Sequence, residues 1–164
     1  MDRRVLVSHR GATIELSIAV VVVAVLAAIA GWSARIAAAT DRAGTEALAA
    51  ATPATQALFS YDYRSFDASV ANGGQFVTGA FATEYAQTTA ALRAAATKQH
   101  AVVRAEVSSA GVVSSGPDEV DVLLYVNQYR RNVDITGEKV DQNRVVLTLV
   151  RTDGGWKVSK ALAV

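Results

Sequence analysis

The chain has 164 residues, 51% of them hydrophobic and 19% charged, with a formal net charge of +1. It contains no cysteine, which excludes disulfides, thiolate catalysis and cysteine-based zinc or iron–sulfur sites. Residues 35–164 hold 13 of the 16 basic and 13 of the 15 acidic residues, so this part is neutral and speaks against nucleic acid as a partner, because phosphate binding needs clustered Lys and Arg.

Residues 1–13, MDRRVLVSHRGAT, form a short basic tail in which Arg3, Arg4 and Arg10 outweigh Asp2. His9 reads as a solvated tail residue. Residues 14–36 read as a transmembrane helix. Its centre, Leu16 to Ala34, has no charge, and at ~1.5 Å per residue it spans roughly 28 Å, about the hydrocarbon thickness of a bilayer. Glu15 sits at the entrance, within reach of the headgroups. Beyond the span stand Arg35 and Arg42, offset by Asp41. The richer Arg content of the tail predicts a cytoplasmic N-terminus and an extracytoplasmic remainder. Ala28-Ile29-Ala30 before Gly31 has the form of a signal-peptidase site. The uncharged run continues past it, however, and Trp32 sits where an interfacial aromatic anchor belongs. An uncleaved signal anchor is therefore expected.

Residues 37–52 are dominated by alanine, the strongest helix former, and predict a juxtamembrane helix serving as spacer, stalk or partner surface. Pro53 permits a break or opens the next helix, and the folded domain is expected over 53–164. Ala57, Leu58 and Tyr61 fall at helical spacing. A second short helical piece begins near Phe66, and Asn72-Gly73-Gly74 and then Thr78-Gly79 interrupt the chain. Phe81, Tyr85, Thr88 or Thr89, Leu92 and Ala96 repeat as an amphipathic helix to about Gln99, with Arg93 and Lys98 toward its C-terminal end.

After His100 the period becomes two. Val103, Ala105 and Val107 alternate with charged residues, and Val112-Val113 continue the strand past a bend at Gly111. A turn at Ser115-Gly116-Pro117-Asp118 leads to Val120, Val122, Leu124 and Val126. A loop at 136–139 precedes a third strand, Arg144–Arg151. Asp153-Gly154-Gly155 is a hairpin turn into a fourth strand with Trp156 and Val158 inward. Helices first and antiparallel strands after imply an α+β fold: helices packed on a curved sheet of about four strands, in a cone.

The chemistry is sparse. A metal site needs converging ligands, yet the two histidines, His9 and His100, lie on opposite sides of the span. His100 sits at a helix-to-strand junction, where a solvated or capping role is expected. There is no GxSxG elbow and no phosphate loop, so no catalytic, cofactor-binding or metal-binding residue is predicted. Two polar-aromatic groups remain: Tyr61, Asp62, Tyr63 and Asp67, and then the strand stretch Tyr125, Asn127, Gln128 and Tyr129, and the first four with Tyr125 and Asn127 are the candidate pocket or partner contacts. The competing reading packs the aromatics on the sheet and uses the acids as caps or as partners of Arg64. Arg130-Arg131 reads as a solvated pair or a partner-binding patch.

The stretches Leu58–Asp67, Thr78-Gly79-Ala80-Phe81 with Tyr85, Leu124–Gln128, and Arg144–Arg151 leading into Asp153-Gly154-Gly155-Trp156-Lys157-Val158 occur in an order that resembles the Mce-associated membrane (Mam) proteins of mycobacteria and related actinobacteria. The resemblance implies an N-terminal anchor followed by an NTF2-like, VirB8-like extracytoplasmic domain. It further implies an accessory role in Mce systems that import lipids or sterols, and no catalytic residues. The partners expected are the bilayer, through residues 14–36, and Mce subunits or related Mam proteins, with homo- or hetero-oligomers allowed. The alternatives are an NTF2-like domain that binds a small molecule and a VirB8-like secretion-system component; fold by itself does not choose among them.

Overall fold

The computed structural model describes residues 9–164, with side chains from Val23 onward. The expected tail lies largely outside the described residues, as do the side chains of His9, Arg10 and Glu15. The chain divides into two compact units, the first ending at Ala39 and the second running Thr40–Val164. In the first unit every described side chain from Val23 to Ala39 is exposed, with Val25, Leu26, Ile29, Trp32 and Ile36 all more than half exposed. Within Val23–Phe59 an 18-residue window has a mean hydropathy of 1.6 and is 0% buried. This helix is long and apolar enough to cross a membrane once. Apolar side chains exposed all round are costly in water and natural in lipid.

Helix α1 (His9–Phe59) is continuous through the expected boundary at residue 53. Pro53 stands inside the helix on its exposed side, where a carbonyl left without its helical donor can be solvated. Around it Ala43, Ala47, Ala51, Ala54 and Leu58 are buried at steps of three and four residues, so packing holds the helix through the proline. Thr55, fully buried, satisfies its hydroxyl by donating to the Ala51 carbonyl at 2.7 Å.

Beyond α1 come β1 (Tyr61–Asp62), a 3-10 turn at Tyr63–Ser65, α2 (Phe66–Gly74), α3 (Gly79–Lys98), β2 (Val102–Ser115), β3 (Glu119–Arg131), β4 (Lys139–Thr152) and β5 (Gly155–Ala163). The strands form one antiparallel sheet in the order β1-β2-β3-β4-β5. The sheet therefore has five strands where four were expected. The extra one is the two-residue β1, too short to show a period, and Tyr61 lies in it instead of on a helix. Ser60 anchors this corner: its hydroxyl accepts a hydrogen bond from the Ala105 amide at 2.9 Å.

Alternation places Val120, Val122, Leu124 and Val126 of β3 beside Leu149, Leu147, Val145 and Asn143 of β4, and the apolar members of this set are buried against α1. Each large apolar side chain buried here contributes about 1.5–3 kcal/mol. The outer edge of β5 is blunted at Val158, which exchanges backbone hydrogen bonds with Phe76 (2.7 Å) and Thr78 (3.0 Å). Trp156 is half-buried and Val158 fully buried, as their inward reading requires.

Two details fix how the helices seat. Gly73 is buried, and the Tyr85 hydroxyl fills the space that a Cβ at Gly73 would need. At the far end of the sheet, Glu46 Oε2 accepts hydrogen bonds from Arg151 Nη1 (2.9 Å) and Trp156 Nε1 (3.2 Å), while the Arg151 guanidinium lies 4.6 Å from the Trp156 ring centre. The bond from Trp156, then that from Arg151, holds the Glu46 carboxyl below its ordinary pKa.

Gly73→Ala is expected to destabilise the protein by about 1–3 kcal/mol, the usual cost of overpacking. Adding Tyr85→Phe should recover part of that loss in denaturant unfolding, since it removes the clashing oxygen. For Glu46 the depressed folded pKa means its stabilisation is present above the unfolded carboxylate value of about 4.3 and disappears as pH falls through the folded value. Glu46→Gln should lower the Tm at neutral pH, and the gap from wild type should close on acidification. A gap in calorimetric Tm that does not change with pH would contradict this assignment.

Candidate functional site

A cavity of about 320 Å³ lies within the second unit, between α3, α2, the end of α1 and the sheet. Its walls are mostly apolar. The end of α1 supplies Leu58 and Phe59, α2 supplies Phe66 and Val70, α3 supplies Phe81 and Leu92, and β5 supplies Ala161. The reason it stays open is local. Of the 20 residues of α3 only Ala96 is buried, and its inward side chains Phe81, Tyr85, Thr89 and Leu92 are half-exposed. Alanine and threonine elsewhere on this helix give it no second apolar row with which to close onto the sheet.

The polar groups around the cavity are few. Tyr61 and Tyr85 are half-buried, and burial raises the pKa of both phenols, so each stays neutral. Tyr61 also packs edge-on against Phe66, with ring centres 5.5 Å apart. Gln128 Oε1 accepts a hydrogen bond from Asn143 Nδ2 at 2.9 Å. Glu84 and Thr88, both exposed, mark the mouth.

The six residues singled out in the sequence do not converge. Tyr61 lines this cavity and also a neighbouring open groove of about 490 Å³, where Asp62 is found. Asp62 caps the 3-10 turn by accepting from the Arg64 amide at 2.9 Å, and it accepts from Arg64 Nε at 3.0 Å. The Arg64 side chain, then its backbone amide, pulls the Asp62 pKa down. Tyr63 stacks on His100 with centres 4.8 Å apart, and His100 takes a left-handed φ of 50° at the junction of α3 and β2. Asp67 accepts from Arg93 Nη1 at 2.7 Å, bridging α2 and α3. Tyr125 and Asn127 lie on the opposite, helix-free face of the sheet, where Asn127 Oδ1 accepts from Gln142 Nε2 at 3.3 Å. Arg130 and Arg131 pair with Asp141 and Glu138. Among the described residues, no group of three or more His, Cys, Asp or Glu is placed to hold a metal ion.

Glu84 and Leu92 are not among the candidate residues read from the sequence, whereas Gln128 belongs to its second polar-aromatic stretch. Phe81, Tyr85 and Leu92 carried a visible signal, the amphipathic repeat, but that repeat reads as ordinary core packing.

No family model matches the chain. It is 33% identical over 119 residues to two uncharacterized proteins of Mycobacterium tuberculosis, Rv1362c of strain H37Rv and MT1407 of strain CDC 1551, a match covering 72% of this chain and 54% of each relative. The chain thus spans about half the length of the curated relatives it matches. Among solved structures it is similar to an IcmL-like type IV secretion system protein of Legionella pneumophila, with a TM-score of 0.60, 17% identity and coverage of 71% of this chain and 88% of the other. It is also similar to CagV, a VirB8 homolog of Helicobacter pylori, with a TM-score of 0.58, 12% identity and coverage of 71% and 94%. Agrobacterium tumefaciens VirB8 gives a TM-score of 0.57 at 12% identity over 71% of this chain and 88% of that one. The chain carries an α+β domain of the VirB8-like, NTF2-like fold behind one N-terminal apolar helix.

Proposed function

We propose that this chain is a membrane-anchored accessory or scaffolding subunit of an Mce-type lipid or sterol import system, acting through protein–protein contacts and without catalysis. Residues 1–13 form its cytoplasmic tail, residues 14–36 its single span, and the domain stands on the extracytoplasmic side. The observation that carries this reading is the pairing, on one chain, of an exposed apolar helix with a VirB8-like domain. A lone span provides an anchor and no transport path. The ordered motifs of the Mam resemblance supply the Mce-specific part, and the match to two mycobacterial proteins is in keeping with it.

A second reading, a component of a secretion machine, draws support from the printed descriptions of the IcmL-like and VirB8 neighbours. The two readings share an architecture and differ in their partners. Purification of the intact protein under mild detergent should recover Mce-type subunits; recovery of secretion ATPases instead would favour the second reading, and repeated recovery of the chain alone would reject both. A reporter fused after Val164 should be active outside the membrane, and a cytoplasmic signal would overturn the orientation.

A further inference from the structure

The cavity beneath α3 is a more specific feature than a docking domain requires. Protein interiors are packed nearly as densely as organic crystals, with few voids larger than a water molecule. Here about 320 Å³ stays open against Leu58, Phe66, Val70, Phe81 and Leu92. That volume falls at the small end of the roughly 300–1,000 Å³ range of ligand pockets.

The lining restricts what can enter. It includes no Lys or Arg, and its one carboxylate, Glu84, stands exposed at the mouth. An anionic end group would meet no counter-charge and would face Glu84. The interior polar groups are the two neutral phenols of Tyr61 and Tyr85, the amide of Gln128, and the hydroxyls of Ser60 and Thr89, of which Ser60 accepts from the Ala105 amide and Thr89 donates to the Tyr85 carbonyl. The Tyr85 hydroxyl is packed over Gly73 of α2, whereas the Tyr61 hydroxyl has no protein hydrogen-bond partner among the described residues and is free to pair with a hydroxyl or amide. Size gives the second limit. At roughly 30 Å³ per water-sized group, the cavity holds about ten such groups. A fused sterol skeleton with its side chain far exceeds that.

We propose that this cavity binds a small, uncharged, largely apolar molecule of about ten carbon-sized groups, with one hydroxyl- or amide-type end held by Tyr61 or Gln128. The walls take the apolar body by desolvation, and the Tyr61 phenol and Gln128 amide orient the polar end. The site is independent of which assembly the chain joins, so failure of the partner assignment leaves it standing, and the reverse holds too.

The test uses the full chain held in amphipol, with methyl groups labelled for NMR, and 1-octanol as the neutral probe against sodium octanoate. Octanol should give intermolecular NOEs to the Leu58, Val70 and Leu92 methyl groups, and octanoate should bind at least about tenfold more weakly because its charge must be buried unpaired. Leu92→Trp fills the cavity from its wall and Thr88→Trp closes it from the mouth. Whichever variant retains a dispersed methyl spectrum should lose the NOEs. Absence of NOEs to these methyl groups in the unaltered chain, equal binding of octanoate, or NOEs that persist in a folded Trp variant would each overturn the proposal.

Discussion

The close seating of α1 on the sheet governs the second unit. Ala43, Ala47, Ala51 and Ala54 are at most 2% exposed, and each presents only a methyl group to the strands. Small side chains let the helix share one buried cluster with the long inner residues of β3 and β4. Gly44 is part of the same constraint. A Cβ there would come within 3.1 Å of Ser115 Oγ, which itself donates to the Thr40 carbonyl at 2.8 Å. Larger residues along this stripe would lift the helix and uncover Val120, Val122, Leu147 and Leu149 together. The Glu46, Arg151 and Trp156 cluster then locks the helix against the ends of β4 and β5, with the indole covering part of the seam.

The seating of α1 has a consequence at the other end of the sheet. Where α1 ends, Leu58 and Phe59 give way to α2 and α3, which present aromatic rings and threonines instead of methyl groups. α3 approaches the sheet at β5, and the contact Tyr85 makes over Gly73 fixes its seating on α2. The fold thus has a dry, closely packed half under α1 and an open half under α3. A domain that acts only as a spacer has no need of the second half. The opposite face of the sheet carries, among the described residues, no helix and bears the pair of Asn127 with Gln142 and Arg104 over the Tyr129 ring at 4.4 Å.

Much of the architecture is legible in the chain. The period-two runs from Val103 and Val120, the Asp153-Gly154-Gly155 turn and the Phe81–Ala96 repeat state their elements locally, because alternation and turn chemistry act over a few residues. The site was less legible. Tyr61, Asp62, Tyr63 and Asp67 are adjacent in sequence, but a strand, a 3-10 turn and a helix start within seven residues send their side chains to the cavity, to Arg64, to His100 and to Arg93. Sequence proximity carries no direction across such changes of backbone geometry. Glu84, Leu92 and Gln128 come from α3 and β3, and only the packing of those elements brings them to one wall.

The sequence by itself determined that an apolar helix precedes a neutral α+β domain, since hydrophobic period, charge placement and glycine turns are properties of neighbouring residues. It also determined that chemistry based on cysteine is absent. The tertiary structure decided that alanines 43, 47 and 51 belong to the core, where the sequence left spacer, stalk and partner surface open. Alanine propensity makes a helix anywhere, and whether its methyl stripe is buried depends on a sheet that folds more than fifty residues later. It likewise decided that Pro53 interrupts nothing and that α3, α2 and the end of α1 leave a cavity against the sheet. Both outcomes depend on which surfaces meet, and that is set by contacts distant in the chain.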